Sequence, residues 1–319
     1  MDSSDEVTPI LRRDEVTSTQ DEAVRLLADG ARPPFALTAR HQTRGRGRLG
    51  RPFSSPAGAS LALTFVHRSR LAPERRGWLP LAAGLAAVTA IEQVLGEGAP
   101  DRIGLKWPND LHTGDGRKLG GILVEARGED LLMLGIGLNL RGPILQDDGQ
   151  EVPGAAWLLG AGGLRQGGAA RQGDAERDAA EGGARGAARS EELNGTAQLR
   201  HDLESALTAA LAEELSRLEL AGGDGVSAGT RERYTMTCLT VGHAVRVDPL
   251  GETGAGGTHP PSLHGIARTI DAHGRLVVDL AGGDQVAVDV GDVRHLRPDG
   301  PVRSTTRGAT GTEQEEHGT

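Results

Sequence analysis

The sequence predicts an α+β protein, with a larger mixed domain followed by a small all-β domain. Three observations carry this. Short alternating apolar runs and two long stretches of helical periodicity share the first two thirds of the chain. Near residue 235 the texture changes to short β runs broken by Gly, Asp and His-Gly turns. The chain has 319 residues, of which 37% are hydrophobic. That is about two domains' worth of length and enough apolar material for a core. Aromatics make up only 2%, so the core must come from Leu, Val, Ile and Ala.

In order along the chain, residues 1–9 are polar and read as disordered. The first expected element is a helix: Thr19 and Glu22 have capping-box spacing behind Ser18, Ala23, Val24 and Leu27 give an apolar face, and Gly30 supplies the stop. Residues 35–40 and 59–66 alternate as strands around a Gly/Arg loop at 43–51. Residues 74–95 form a helix around the apolar run Leu79–Ile91, which is too short to span a bilayer and reads as buried. A short strand follows at 103–107, and Asp115-Gly116 marks a hairpin between strand-like flanks. Residues 131–140 are another strand, here taken as a possible edge for pairing with a second copy or a partner. Residues 160–192 are a Gly/Ala/Arg/Glu insertion expected to be disordered. A long helix runs from Thr196 to Leu218, with Leu199, Leu203, Leu207, Leu211, Leu215 and Leu218 at helical spacings. The runs CLTV, HAVRVD, GIARTID, RLVVDL and QVAVDV predict a small antiparallel barrel or sandwich, interrupted by a loop at 251–262 and followed by a disordered tail at 298–319. The expected boundaries are 10–234 and 235–297.

The net charge of −9 argues against a general nucleic-acid or anionic-membrane binder. The one cysteine, Cys238, excludes a disulfide framework and any multi-cysteine metal site. The N-terminus lacks an apolar signal region, so a cytoplasmic setting is the default expectation. Only two of the 35 basic residues are lysines, Lys106 and Lys118. In so Arg-biased a chain, a retained Lys points to a need for a compact ammonium.

GRGRLG, Gly45–Gly50, matches the dinucleotide fingerprint but not its context, because Arg51-Pro52-Phe53-Ser54-Ser55-Pro56 follows instead of a helix. Gly45 and Gly47 instead let backbone approach a ligand, and Arg46, Arg48 and Arg51 offer forks for phosphate oxygens. A solvated basic turn remains the alternative. Lys106 sits at a strand end before Trp107-Pro108-Asn109-Asp110, where it would neutralise phosphate or carboxylate charge. Lys118 lies beside Gly120-Gly121 and Glu125, and Gly135-Ile136-Gly137-Leu138-Asn139 ends an apolar strand on a single amide.

In this order, the motifs Ser18-Thr19-Gln20, Gln42 with GRGRLGRPFSSPAGASL, LKWPNDL, RKLGGILVE and LGIGLNL resemble a bacterial biotin protein ligase. GIARTIDAHGRLVVDL resembles that family's small C-terminal domain. The resemblance implies a mixed-sheet, class II synthetase-like catalytic domain followed by an SH3-like barrel. It also implies an enzyme that activates biotin with ATP to biotinyl-5′-AMP and transfers it to a lysine of a biotin carboxyl carrier domain, with Mg2+ accompanying ATP. By resemblance, Lys106 and Arg48 are catalytic. Ser18, Thr19, Gln20, Gln42, Arg46, Gly47, Arg48 and Lys106 hold biotin, and Arg46, Arg48, Arg51, Asn109, Lys118, Asn139 and Trp157 hold the nucleotide. No metal ligand is assigned, because no residues have ligand spacing. The Gly/Arg loop is expected to order over the adenylate.

The sequence departs from the family pattern at Phe53, where Trp is usual, and in the 160–192 insertion. About ten residues precede the first motif, so a monofunctional ligase without a DNA-binding domain is expected, with no nucleic-acid partner and with a homodimer left as an open option. Two rivals stay open at this point: a lipoate–protein ligase and a non-enzymatic nucleic-acid binder.

Overall fold

A computed structural model describes residues 8–51, 53, 57–96, 103–145, 148–165, 182–249, 261–289 and 291–296. The predicted N-terminal and C-terminal disorder and most of the 251–262 loop lie outside them.

The larger part is a mixed sheet of seven strands: β1 (Ile10–Val16), β2 (Phe35–Gln42), β3 (Ser60–Arg68), β4 (Ile103–Lys106), β5 (Asp110–Thr113), β6 (Lys118–Arg127) and β7 (Leu131–Asn139). Their order is β1-β2-β3-β7-β6-β5-β4, with β1 parallel to β2 and the other pairs antiparallel. Strand alternation sorts the sheet's two faces. Leu61, Leu63, Phe65, Leu132, Leu134, Ile136 and Leu138 join the main core. Against that face pack α2 (Leu79–Leu95) and α3 (Gly182–Leu220). On the opposite face, α1 (Thr19–Ala28) covers a smaller cluster of Phe35, Leu37, Val66 and Met133. Helix α2 is apolar on nearly all sides, as a helix enclosed by its neighbours must be. The segment Pro73–Leu95 is long and apolar enough to cross a membrane, but most of its window is buried inside this fold.

The smaller sheet holds β8 (Ala244–Pro249), β9 (Leu263–Ile270), β10 (Leu276–Leu280), β11 (Gln285–Val288) and β12 (Gly291–His295), in the antiparallel order β11-β10-β9-β8-β12. Its inward Val245, Val247, Ala267, Ile270, Leu276 and Val278 merge with the main core. Two tryptophans fasten it. Trp78 Nε1 donates to the Ala272 carbonyl and Trp107 Nε1 to that of Gly274, each at 3.1 Å. Both acceptors lie in the turn between β9 and β10, so the small sheet is clamped beside the end of β4.

Several expectations need correcting. The first element is β1, which precedes the helix; its ILRRDEV pattern has only one buried side chain, too weak a signal to separate from loop. Ser18 is the N-cap of α1, but its side chain makes no capping bond, and the Thr19 hydroxyl turns to Gln42, so the capping box does not form. Strand β7 is not an edge: it lies between β3 and β6, which its unbroken apolar pattern demands. The long helix starts at Gly182 and ends at Leu220, so residues 182–192 of the supposed insertion are helical. Residues 160–165 form a tight turn with Leu164 buried, and 166–181 lie outside the described residues. CLTV is not a strand; Cys238 only bridges Leu105, and the unpredicted helix α4 (Thr230–Thr237) precedes it.

Candidate active site

The three glycines Gly121, Gly135 and Gly137 leave a depression in the α1 face of the sheet. They lie on adjacent strands in register, Gly121 opposite Gly137 and Leu123 opposite Gly135. A methyl group on Gly137 would sit 2.5 Å from the Phe53 ring, and one on Gly135 would sit 2.5 Å from Gln20 Nε2. Side chains from elsewhere therefore occupy the volume that these residues give up. The result is a cavity of roughly 210 Å³ lined by the start of α1, the Gly/Arg loop and the floors of β3, β6 and β7.

One end is polar and uncharged. Gln42 Oε1 accepts the Thr19 N–H at 2.8 Å and the Thr19 hydroxyl at 3.1 Å, and Thr64 donates to Thr19 at 2.8 Å. Gln20 Nε2 donates to the Leu123 carbonyl at 2.8 Å, which leaves Gln20 Oε1 buried without a partner. Ser18 is buried with its hydroxyl unspent on the helix cap. Buried polar atoms of this kind are costly unless a ligand satisfies them.

The other end is cationic. Arg46, Arg48, Arg51 and Lys118 line it, with Asp110 as the carboxylate of the lining. Lys118 begins β6, and the end of its side chain passes beside Gly121. Its ammonium lies 2.8 Å from Asp110 Oδ1. Burial would raise the Asp110 carboxyl, but His112 and Lys118 outweigh it and hold the group below the usual carboxylate range. The Gly/Arg loop is fixed over this end at both sides. Arg48 Nη1 donates to Asn109 Oδ1 and Arg46 Nη2 to Asp21 Oδ1, each at 2.8 Å. Phe53 N donates back to the Gly45 carbonyl at 2.9 Å, so Gly45, where a Cβ would meet the Phe53 carbonyl, permits the fold of the loop. Beyond it, the buried Arg200 of α3 clamps the Gly58 and Ser60 carbonyls at 2.7 and 2.6 Å.

The predicted residues Ser18, Thr19, Gln20, Gln42, Arg46, Gly47, Arg48, Arg51, Asn109 and Lys118 all line this cavity. Lys106 is not among the lining residues, but it stands directly opposite Asp110 of the lining in the β4–β5 register. It ends β4, an outer strand next to β5, and neighbouring strands are spaced about 4.8 Å apart. Its charge also bears on His295 of the small sheet, pushed down to about 4 by burial first and then by Lys106, His243 and His112. Asn139 and Trp157 also stand outside the cavity lining. Asn139 Nδ2 donates to the Ala156 carbonyl at 2.9 Å, and the Trp157 ring packs over Gly142. They flank the cationic end, because Lys118 pairs its backbone with Gly154 and Ala156. Sequence reading missed Thr64, although strand alternation sets it on the same face as Ala62 of the lining. It also missed the Lys118–Asp110 pair, which no spacing reveals. Among the described residues no cluster of three or more His, Cys, Asp or Glu could hold a metal ion.

The arrangement can hold a neutral polar head at one end and an anion at the other. Comparisons agree with that chemistry. Residues 12–140 match the biotin/lipoate A/B protein ligase family, and residues 259–296 match the biotin protein ligase C-terminal domain. A biotin–[acetyl-CoA-carboxylase] ligase of Mycobacterium tuberculosis is 34% identical over 283 residues, covering 88% of this chain and 86% of the relative. One from Paracoccus denitrificans is 38% identical over 142 residues, 43% of this chain and 56% of the relative. The solved Aquifex aeolicus biotin protein ligase in complex with biotin and ATP has the same fold, with a TM-score of 0.61 at 21% identity over 90% of this chain and 99% of that one. The chain therefore belongs to the biotin protein ligase family, enzymes that activate biotin with ATP and join it to a protein.

Proposed function

We propose that this cavity makes biotinyl-5′-AMP from biotin and ATP, and that the chain passes the biotinyl group to a lysine of a biotin carboxyl carrier domain. The observation that carries the reading is the two-ended cavity. Gln20 Oε1, Thr19, Gln42 and Ser18 suit a ureido ring, while Lys118, Arg46, Arg48 and Arg51 suit a carboxylate meeting a triphosphate. Bringing an anion to a polyanion requires fixed positive charge where negative charge develops. Lys118, paired with Asp110, and Lys106, opposite Asp110 in the strand register, supply that charge, with Arg48 closing over the site. Asp110 holds the Lys118 ammonium in place. The nucleotide base lies toward Asn139 and Trp157.

Magnesium travels with ATP. It keeps several waters and binds mainly through phosphates, which fits a site without a carboxylate cluster. The cations of the Gly/Arg loop face the cavity, which supports small anionic substrates over nucleic acid. We assign residues 10–234 to catalysis and 235–297 to the small β domain, and we place the reaction in the cytoplasm. Pairing with a second copy or with the carrier would use the outer strand β1.

Mass spectrometry of a purified carrier domain incubated with this protein, biotin and ATP should show one biotinylated lysine. Replacing biotin with lipoate should give none. An unmodified carrier, or equal modification by lipoate, would refute the reading.

A further inference from the structure

A second cavity, of roughly 270 Å³, lies behind the first. The two share Arg48, Asn109, Ile122 and Leu123 as a common wall, so the Arg48–Asn109 hydrogen bond is the partition between them. The second space exists because β5 is short. It pairs with β6 only as far as Gly121, and Asn109 caps Ile122 with two hydrogen bonds at 2.8 and 3.0 Å. Beyond that point β6 faces the turn between β9 and β10 across a gap. Pro80, Leu81, Trp107, Pro108 and Val124 make the gap apolar, and Asp289 of the small sheet stands exposed at its rim. The Arg275 guanidinium is committed to Asp271 at 2.7 Å and reaches Asp289 only at 3.8 Å.

We infer that this second cavity is the entry route of the acceptor lysine, with Asp289 capturing its ammonium at the mouth. The inference deepens the proposed function and rests on it. Once the adenylate fills the first cavity, the nucleophile must come from another side. The second cavity ends at the cationic part of the first, where the mixed anhydride forms. A lysine side chain is a four-carbon apolar stem with a compact ammonium, and apolar walls below a single carboxylate match it along its length. The lysine then sheds its proton to solvent. Its nitrogen attacks the acyl carbon, the C–N bond forms, the acyl C–O bond breaks, AMP leaves with the bonding pair, and the nitrogen gives up its second proton to solvent to become the amide N–H. Passage requires Arg48 to release Asn109, so the contact that covers the adenylate also divides it from its acceptor.

The test uses the full chain loaded with biotin and ATP. Transfer to a purified carrier domain is measured over a range of carrier and KCl concentrations. Hydroxylamine serves in parallel as a small uncharged nucleophile. Asp289→Asn should lower kcat/KM for the carrier about fivefold and Asp289→Lys at least tenfold, as expected for loss and reversal of one solvent-exposed charge contact. Both effects should shrink as KCl screens the contact, and the hydroxylamine rate should hold. Equal carrier kcat/KM in all three proteins, or a matching loss with hydroxylamine, would overturn the route. If the unaltered protein lacked biotin-dependent ATP–pyrophosphate exchange, the proposed function would fall and the route with it. Normal exchange with carrier transfer indifferent to Asp289 sinks the route alone.

Discussion

Replacing Lys118 by Ala tests the site directly. The Lys118 ammonium is held 2.8 Å from Asp110 over Gly121, inside the cationic end of the cavity. Removing one preorganised donor of this kind costs about 10²–10³ in rate, or roughly 2.7–4 kcal/mol of transition-state stabilisation. The cost to folding is much smaller. The Lys118 side chain is half exposed, so its pair with Asp110 contributes no more than about 1 kcal/mol. In a chain of this size that is a Tm change of roughly 2–4 °C. Biotin-dependent ATP–pyrophosphate exchange should thus fall at least a hundredfold in Lys118→Ala, while thermal unfolding moves only a few degrees. Lys106→Ala should lower exchange as well, because Lys106 is part-buried and stands opposite Asp110 in the β4–β5 register. Exchange that survives in Lys118→Ala would refute the part given to Lys118.

Two other perturbations follow from the geometry. Gly137→Ala would place a methyl group 2.5 Å from the Phe53 ring. Phe53 must move off the floor, and biotin affinity measured by titration calorimetry should weaken by about tenfold or more while the fold, read by circular dichroism, persists. Unaltered affinity would show that Phe53 is not part of the biotin site. His295 gives a pH signature. Burial first, then Lys106, His243 and His112, push its imidazole down to about 4 from an ordinary 6.5. The unfolded chain therefore binds a proton that the folded chain refuses between those values, and stability is full above pH 6.5 and declines as pH falls toward 4. Denaturant midpoints taken across that window should fall less steeply in His295→Asn, and an identical slope would contradict the assigned burial.

Much of the fold was legible. The alternation in 35–40, 59–66 and 131–140 and the leucine spacing of the long helix each report a face buried by an element's own periodicity. β1 was illegible because six of its seven side chains are at least partly exposed, so nothing in its pattern marks an inside. The central place of β7 was misjudged because strand order depends on which partners the rest of the chain supplies.

For the site, the residue types came from the sequence: a Gly/Arg loop, hydroxyls and amides at a helix start, scarce lysines. Their assembly did not. Linear motifs carry chemistry, but they do not carry reach. Lys106 stands in the more distinctive motif and pairs in register with Asp110, while Lys118, in a plainer stretch, reaches the same carboxylate from the start of β6. Composition and local period are properties of neighbours in the chain, so the sequence alone determined the family, most of the elements and the inventory of reacting groups. Distances between side chains far apart in sequence arise only when strands pair and the small sheet docks on Trp78 and Trp107, so only the tertiary structure decided what the Lys118 ammonium pairs with and where a second cavity opens.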